Sequence, residues 1–169
     1  MTNRQLLLIR HAKAGPHGEP DIERELAKRG RADAAAIGHW LAEHNLIPDR
    51  VVVSPAARAR ETWQRAAGAA ELTAKPVVDE RIYHNTVDDL LQVVAQTPAS
   101  VQTLALVGHN PSMEDLAVAL DDGTGDATAR TELASRYPTG GVAVFAVGAD
   151  WSGLGPGTAT LVEFGVPRG

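Results

Sequence analysis

Cysteine is absent from the 169 residues of this chain. Its absence excludes disulfide bonds, zinc sites built from thiolates and every enzyme mechanism that uses a cysteine thiolate as its nucleophile. An excess of positive charge is lacking too, because 16 Lys and Arg residues face 21 Asp and Glu residues and the formal net charge is −5. This balance argues against broad binding to nucleic acid or to an anionic membrane, and we expect neither as a partner.

Long hydrophobic runs are also missing from the N-terminal region. The run "LLLI" at residues 6–9 is too short for the core of a signal peptide or for a membrane span, so we expect a cytoplasmic protein. No Walker A or GxSxG motif is present. We expect no metal or other cofactor, since no pair at the spacing of metal ligands occurs among His17, His39, His44 and His84.

Short apolar runs alternate with segments of helical periodicity along the chain. Most of the runs are apolar on both faces, which indicates a central sheet covered on both sides and a layered α/β domain. We expect a single domain over residues 1–169, with the last two strands forming a hairpin. The predicted strands are 5–10, 50–54, 75–79, 103–108, 141–147 and 158–164, and the predicted helices are 56–70, 87–96, 111–120, 128–136 and a segment whose apolar stripe is Leu26, Gly30, Ala34, Ile37 and Leu41.

Polar residues follow three of the predicted strands at their carboxyl ends. Arg10 and His11 follow the first strand. The segment "VVVSPAARARET" leaves its strand at Ser54, and "LALVGHNPSMEDL" leaves its strand at His109 and Asn110. Ser54 and Asn110 each precede a proline, which we expect at the first helical position with the polar residue as the N-cap. Helix N-termini of this kind attract anions.

The carboxyl ends of parallel strands meet at one edge of a sheet, and ligands bind beyond that edge in open α/β folds. Two arginines and two histidines can converge there to form an anion site. Phosphate is the best-fitting anion, because arginine offers forked donors to its oxygens and a neutral imidazole offers a nucleophilic nitrogen. The four residues are Arg10, His11, Arg58 and His109.

Three motifs in this order give the chain a resemblance to a known family. The Arg-His pair after the first strand, "SPAARARET" at 54–62 and "GHN" at 108–110 resemble the histidine phosphatase superfamily, which includes the phosphoglycerate mutases. The small size, "RHAKA" and "DIERELAKRG" at 21–30 are most similar to its SixA-type branch of phosphohistidine phosphatases. The resemblance extends to "PTGGVAVF" at 138–145 and implies a phosphoglycerate mutase-like fold, a three-layer α/β/α sandwich with a mostly parallel central sheet.

The resemblance also implies a role for each residue of the predicted anion site. His11 is the nucleophile that becomes phosphorylated, with its attacking nitrogen neutral and its other ring nitrogen donating to a backbone carbonyl. Arg10 and Arg58 neutralise charge on the equatorial oxygens, and a protonated His109 adds a donor. Water then hydrolyses the phosphohistidine without a metal. The family usually has glycine after this histidine, where this chain has Ala12, and alanine adopts positive φ less freely.

The general acid and the supporting contacts stay open at this point. Glu80 in "VVDERIYH" is the candidate acid by resemblance to the mutase-like branch, with Asp79 as its rival and a solvated loop carboxylate as the alternative. SixA-type proteins resemble one another in lacking a clear acid, which suits phosphohistidine because imidazole leaves more readily than an alkoxide. Ser54 and Asn110 act as caps, with or without contact to a bound ligand.

These observations predict a phosphatase that acts through phospho-His11 on a phosphohistidine protein, or else on a small phosphate ester. A mutase is disfavoured, since the chain lacks the insertions that the resemblance would demand for retaining a bisphosphate intermediate. A non-catalytic module that binds a phosphorylated ligand is the alternative of another class, and the intact pair of arginines and pair of histidines argues against it. The oligomeric state is open, a monomer included. Arg60, two residues after Arg58, is expected to face solvent. His17, in the loop that follows His11, is expected either to line the pocket mouth or to be a solvated loop residue.

Overall fold

Four parallel strands and an antiparallel pair form one six-stranded sheet in the computed structural model, which describes residues 3–16 and 20–169. The strands are β1 (Arg4–Arg10), β2 (Arg50–Val53), β3 (Pro76–Val78), β4 (Thr103–Gly108), β5 (Val142–Val147) and β6 (Ala159–Gly165). Their order across the sheet is β3-β2-β4-β1-β5-β6, and β5 pairs with β6 as the predicted hairpin. Every predicted strand is confirmed, with ends that differ by no more than one residue.

Five α-helices lie in the described part of the chain, each close to a segment of predicted helical periodicity. They are α1 (Lys28–Glu43), α2 (Ala57–Ala70), α3 (Val87–Ala95), α4 (Ser112–Leu120) and α5 (Ala127–Ser135). Short 3₁₀ turns occur at Asp21–Glu23, Glu80–Ile82 and Trp151–Gly153. Within residues 3–16 and 20–169, none of the helices has the length and apolar character needed to cross a membrane.

The side chains of β1 show why helices cover both faces of the sheet. Successive residues of a strand point to opposite faces, and Leu6 and Leu8 pack in one hydrophobic cluster while Leu7 and Ile9 pack in another. All four are fully buried. The first cluster includes residues of α3, α4 and α5, and the second includes residues of α1 and α2. The predicted three-layer α/β/α sandwich is therefore confirmed.

Two glycines of α1, Gly30 and Gly38, let this helix approach its neighbours closely. A Cβ atom at Gly38 would lie 2.0 Å from the carbonyl oxygen of Ala66 on α2. A Cβ atom at Gly30 would lie 2.1 Å from the carbonyl oxygen of Lys13. Backbone at these distances excludes any side chain, so glycine is required at both positions. The second contact holds the segment that follows His11 against the start of α1.

The starts of α2 and α4 differ from the predicted proline positions. Helix α2 begins at Ala57, because Ala56 is extended and the Ser54 hydroxyl accepts a hydrogen bond from the Ala56 backbone N–H at 3.1 Å. Ser54 thus stabilises a turn before the helix and is not its N-cap. Helix α4 begins at Ser112, and the Asn110 Oδ1 atom accepts from the Glu114 backbone N–H at 3.2 Å. Asn110 therefore satisfies a first-turn amide, as a cap does.

The register of the parallel strands brings the three polar strand ends to one edge. Arg10 pairs with Gly108 across β1 and β4, and Val53 pairs with Val107 across β2 and β4. The residues that follow these pairs therefore leave the sheet at nearly the same level, where α2 and α4 begin. The edge carries His11, Ser54 and His109.

Candidate active site

The four residues of the predicted anion site converge at this edge. The ring centroids of His11 and His109 are 5.1 Å apart, and the positive charges of Arg10 and Arg58 act on the His11 imidazole. A cavity of about 270 Å³ is lined by two of the four residues, Arg58 and His109, and its lining does not include Arg10 or His11. A larger hollow of about 590 Å³ lies elsewhere, beside Arg24, and contains neither histidine. The smaller cavity is lined by Asp21, Arg58, Tyr83, His84, Asn85, His109, Asn110, Pro111 and Ser112.

His11 is held in one tautomer by the chain that follows it. Its Nδ1 atom lies 2.7 Å from the Ala12 carbonyl oxygen, and because a carbonyl only accepts, Nδ1 carries the hydrogen and Nε2 keeps its lone pair. The side chain is buried, and burial lowers its pKa to about 4, with the positive charges of Arg58 and Arg10 acting in the same direction. The backbone acceptor is present, and the lowered pKa agrees with the predicted neutral imidazole. Ala12 is not one of the described residues with a positive φ, so alanine causes no backbone strain at this position.

We expect the His11 imidazole to stay neutral as the pH falls through 6.5 and to take up its proton only near pH 4. The physical reason is that burial and two nearby guanidinium groups both disfavour the charged form. Nitrogen-15 NMR of histidine-labelled protein in a phosphate-free buffer measures this midpoint, with the His11 signal assigned by its loss in His11→Ala. The same residue in urea-unfolded protein is the reference, and a folded-state midpoint at the unfolded value would contradict the expectation.

The loop between α5 and β5 fixes the Arg10-His11 tip from the other side. The Gly140 backbone N–H donates to the carbonyl oxygens of both Arg10 and His11, at 3.1 and 3.0 Å. The Arg10 guanidinium donates to the Tyr137 carbonyl oxygen at 2.9 Å, and the buried Tyr137 hydroxyl donates to the Leu8 carbonyl oxygen at 2.5 Å. Gly140 has φ of +77°, which explains a glycine in "PTGG". Tyr137 was not among the predicted site residues.

His109 is paired with Ser54 beneath the cavity. Its Nε2 atom lies 2.7 Å from the Ser54 hydroxyl, which already accepts from the Ala56 N–H. A serine hydroxyl both donates and accepts, so Ser54 pairs with either tautomer of a neutral His109. Burial lowers the pKa of His109 to about 3, with His11 and Arg58 adding to the effect. A bound phosphate would act in the opposite direction, so a protonated His109 beside phosphate stays a prediction.

Asp21 orients Arg58 and was missed by the sequence analysis. Arg58 donates to the Asp21 carbonyl oxygen at 2.7 Å and to its carboxylate at 3.0 Å. The same carboxylate accepts from the Tyr83 hydroxyl at 2.6 Å and from Arg24 at 3.2 Å. The Tyr83 hydrogen bond and the Arg58 contact hold the pKa of Asp21 well below its usual range, so this carboxylate is ionised. The only signal for it was its place in "DIERELAKRG".

Three buried donors of the site have no hydrogen-bond partner among the described residues. They are the Nε atoms of Arg10 and Arg58 and the Nδ1 atom of His109. A buried donor without an acceptor costs about 1–3 kcal/mol, and these atoms are closed to solvent, so a ligand oxygen reaches them only when the side chains shift. The suitability of the site for phosphate rests on the positive charge that Arg58 and Arg10 place beside the His11 imidazole.

Ser54 and Asn110 are engaged by protein groups. Asn110 Nδ2 donates to the Tyr137 carbonyl oxygen at 3.0 Å and to a Glu114 carboxylate oxygen at 3.2 Å. Ser54 is fully buried and reaches the cavity through His109. Direct contact of either residue with a ligand stays a prediction.

Neither candidate acid is among the described residues that line the cavity. Glu80 is exposed at the start of a 3₁₀ turn and does not line the cavity, so its role stays a prediction. Asp79 accepts from Arg81 at 2.7 and 3.0 Å, which lowers the pKa of Asp79 and makes it a poor proton donor near neutral pH. Arg60 is exposed and donates to the Pro55 carbonyl oxygen, as expected of a residue outside the site. His17 lies outside the described residues.

Across residues 3–16 and 20–169, no group of three or more His, Asp or Glu side chains is placed to hold a metal ion. Independence from metal remains a prediction.

Comparison with known proteins identifies relatives over the whole chain. The model of the histidine phosphatase superfamily (branch 1) matches residues 6–116. The uncharacterised protein Rv1276c of Mycobacterium tuberculosis H37Rv is 35% identical over 162 residues, covering 95% of this chain and 100% of that protein. The structure of a candidate phosphohistidine phosphatase SixA from Nakamurella multipartitia superimposes with a TM-score of 0.86 at 32% identity, covering 99% of this chain and 98% of that one.

A second solved structure gives the same result. A candidate phosphohistidine phosphatase SixA from Agrobacterium tumefaciens has a TM-score of 0.82 at 31% identity, covering 99% of this chain and 100% of that one. The match of the family model and these full-length similarities agree with the geometry of the two histidines and two arginines. The chain therefore belongs to the histidine phosphatase superfamily, in its SixA-type branch.

Proposed function

We propose that this phosphatase hydrolyses protein phosphohistidine through a covalent phospho-His11 intermediate. One observation carries the proposal: a buried, neutral imidazole with Nδ1 bound to the Ala12 carbonyl oxygen lies beside two arginines that retain free donors. The lone pair of Nε2 is thereby available, and the His11 ring lies 5.1 Å from the ring of His109, which lines the cavity. The similarity to the two SixA structures supports the choice of substrate class.

The proposed reaction has two displacements at phosphorus. In the first, the His11 Nε2 lone pair attacks phosphorus, the bond to the substrate imidazole breaks, and the departing nitrogen keeps the bonding pair and takes a proton from solvent. In the second, water attacks the phosphoryl group, the bond to Nε2 breaks, and inorganic phosphate and a proton are released. Arg10, Arg58 and His109 donate to the phosphoryl oxygens and stabilise the charge in both transition states.

The cavity wall favours a leaving group that needs no enzyme acid. Among the described lining residues the only carboxylate belongs to Asp21, and its hydrogen bonds from Tyr83 and Arg58 keep it ionised. An alkoxide needs a proton as it departs. The imidazole of phosphohistidine is a much better leaving group and suits a pocket of this kind. Small phosphate esters with good leaving groups are the second candidate.

A substrate panel tests the proposal. Wild-type protein and His11→Ala are assayed on a phosphohistidine protein, on sugar phosphates and on an aryl phosphate. We expect the highest kcat/KM on the phosphohistidine protein, and no turnover by the variant on any substrate. A higher kcat/KM on a sugar phosphate would replace the proposed substrate class, and binding without turnover of any of them would favour a non-catalytic phospholigand-binding module.

Glu80→Gln separates a general acid from a solvated carboxylate. If Glu80 protonates a leaving oxygen, kcat/KM falls by about 10²–10⁴-fold on an alkyl phosphate and hardly changes on an activated aryl phosphate or on phosphohistidine. Glu43→Gln, at an exposed position at the end of α1, is the matched control. A uniform loss on all three substrates would mean that Glu80 shapes the pocket. No loss anywhere would leave it a surface residue of a phosphatase without a built-in acid.

A further inference from the structure

Thr62 joins the proposed nucleophile to the proposed phosphate-binding arginine. This threonine lies on α2 and is 1% exposed. Its hydroxyl donates to the Arg58 carbonyl oxygen at 2.7 Å, one helical turn earlier. Its oxygen accepts from the Ala12 backbone N–H at 3.0 Å. The hydroxyl has one hydrogen, and since the Arg58 carbonyl can only accept, the direction of both bonds is fixed.

These contacts fix the peptide group between His11 and Ala12 at both of its polar atoms. The carbonyl oxygen of His11 accepts from the Gly140 N–H at 3.0 Å, and the N–H of Ala12 donates to Thr62. The next carbonyl along, that of Ala12, is the acceptor that holds the His11 Nδ1–H at 2.7 Å. Ala12 is itself fully buried, so water does not replace a lost partner. The orientation of the imidazole therefore depends on where Thr62 holds the backbone.

We propose that Thr62 is a positioning residue for catalysis. It places the Ala12 carbonyl so that His11 keeps its hydrogen on Nδ1 and its lone pair on Nε2. Because the same hydroxyl is bound to the Arg58 backbone, it also fixes the start of α2, which carries this guanidinium, relative to the imidazole. Thr62 acts through these groups, and the cavity lining does not include it. The inference rests on the proposed role of His11 as the nucleophile.

Thr62→Val and Thr62→Ser test this role. Valine keeps the shape and removes the hydroxyl, whereas serine keeps the hydroxyl and removes a methyl group. We expect valine to lower kcat by about 10²-fold, the effect of a misplacement of about 1 Å, with little change in KM, and serine to restore most of the rate. Nitrogen-15 NMR of His11 is expected to show the Nδ1–H tautomer in wild type and serine variant and a tautomer mixture in the valine variant.

The matched control is Thr97→Val. Thr97 is also buried and its hydroxyl also bonds a carbonyl one turn earlier, that of Val93 at 3.3 Å, but it has no contact with His11. The control should leave kcat and the His11 tautomer unchanged. If Thr62→Val unfolds at the assay temperature, Thr62→Ala is assayed in the cold with the same expectation of lost kcat and mixed tautomer.

Three results would overturn the proposal. They are an unchanged His11 tautomer in a folded Thr62→Val or Thr62→Ala, an unchanged kcat in either variant, and an equal loss in the serine variant. A failure of the underlying function is distinguishable, because wild-type protein would then form no phosphoenzyme. Even if no phosphoenzyme forms, the NMR measurement still shows whether Thr62 determines the tautomer of His11.

Discussion

Replacing His11 with alanine is expected to abolish turnover and the trapping of a phosphoenzyme that is labile to acid and stable to base. Removing the nucleophile of a covalent mechanism costs on the order of 10⁶-fold in kcat, so the residual rate should be indistinguishable from background. The reason lies in the geometry of the site: His11 keeps a free lone pair at Nε2, whereas the corresponding nitrogen of His109 is bound to Ser54. Quenched single-turnover reactions with a radiolabelled phosphoryl donor measure both quantities.

His39→Ala is the control for this experiment. His39 is exposed on α1 and belongs to neither the cavity nor the hydrogen-bond network of the site. The His39→Ala substitution should leave turnover and the amount of phosphoenzyme unchanged. Thermal unfolding should show that His11→Ala and His39→Ala are both folded. Equal activity of wild type and His11→Ala would rule out the mechanism. A phosphoenzyme that persists in His11→Ala would move the nucleophile to another residue.

Arg58→Ala is expected to lower kcat/KM by about 10²–10³-fold, the usual cost of removing one preorganised donor from a transition state. The guanidinium is 7% exposed and is fixed by two hydrogen bonds to Asp21, so it is already ordered for the proposed contact with the phosphoryl group. The loss should appear in kcat as well as in KM, because charge on the phosphoryl oxygens is stabilised throughout the reaction. Steady-state kinetics on an activated aryl phosphate separates the two constants.

Arg60→Ala provides a matched comparison two residues along the same helix. Arg60 is exposed and donates only to the Pro55 carbonyl oxygen among the described residues. We expect its replacement to change kcat/KM by less than about twofold, as for most surface substitutions. If the two arginine variants lose activity equally, the proposed assignment of the phosphate-binding arginine to Arg58 is wrong.

The central geometry could be predicted from the sequence because it depends on local pattern and one topological rule. Apolar runs marked every strand, and polar residues at their carboxyl ends had to meet at one edge once the strands were parallel. Arg10, His11 and His109 are such strand-end residues. Arg58 lies only a few residues beyond its strand and is carried there by α2. Their convergence therefore followed without knowledge of the loops.

The supporting residues could not be predicted in the same way. Asp21 meets Arg58 across 37 residues, and Tyr137 meets Arg10 across 127. Such contacts depend on how loops dock on the finished sheet, and loop residues carry no hydrophobic periodicity. Thr62 shows the opposite difficulty, since it lies within a regular helix and nothing in its spacing distinguishes it from a core residue. The predicted helix starts at Pro55 and Pro111 were wrong by two residues and one residue. At α2 the reason is that Ser54 bonds a turn amide in place of a helix amide.

The two buried imidazoles also determine how the folded state responds to acid. Their folded-state pKa values, about 4 for His11 and about 3 for His109, lie below the ordinary value of 6.5 that the unfolded chain restores. Unfolding therefore takes up protons below pH 6.5, and the free energy of unfolding falls as the pH drops from there toward 4, while these groups contribute no pH dependence above it. Urea titrations across this range should show the falling midpoint, with a smaller slope in His11→Ala. The burial that keeps His11 neutral thus makes this edge of the sheet a source of acid lability.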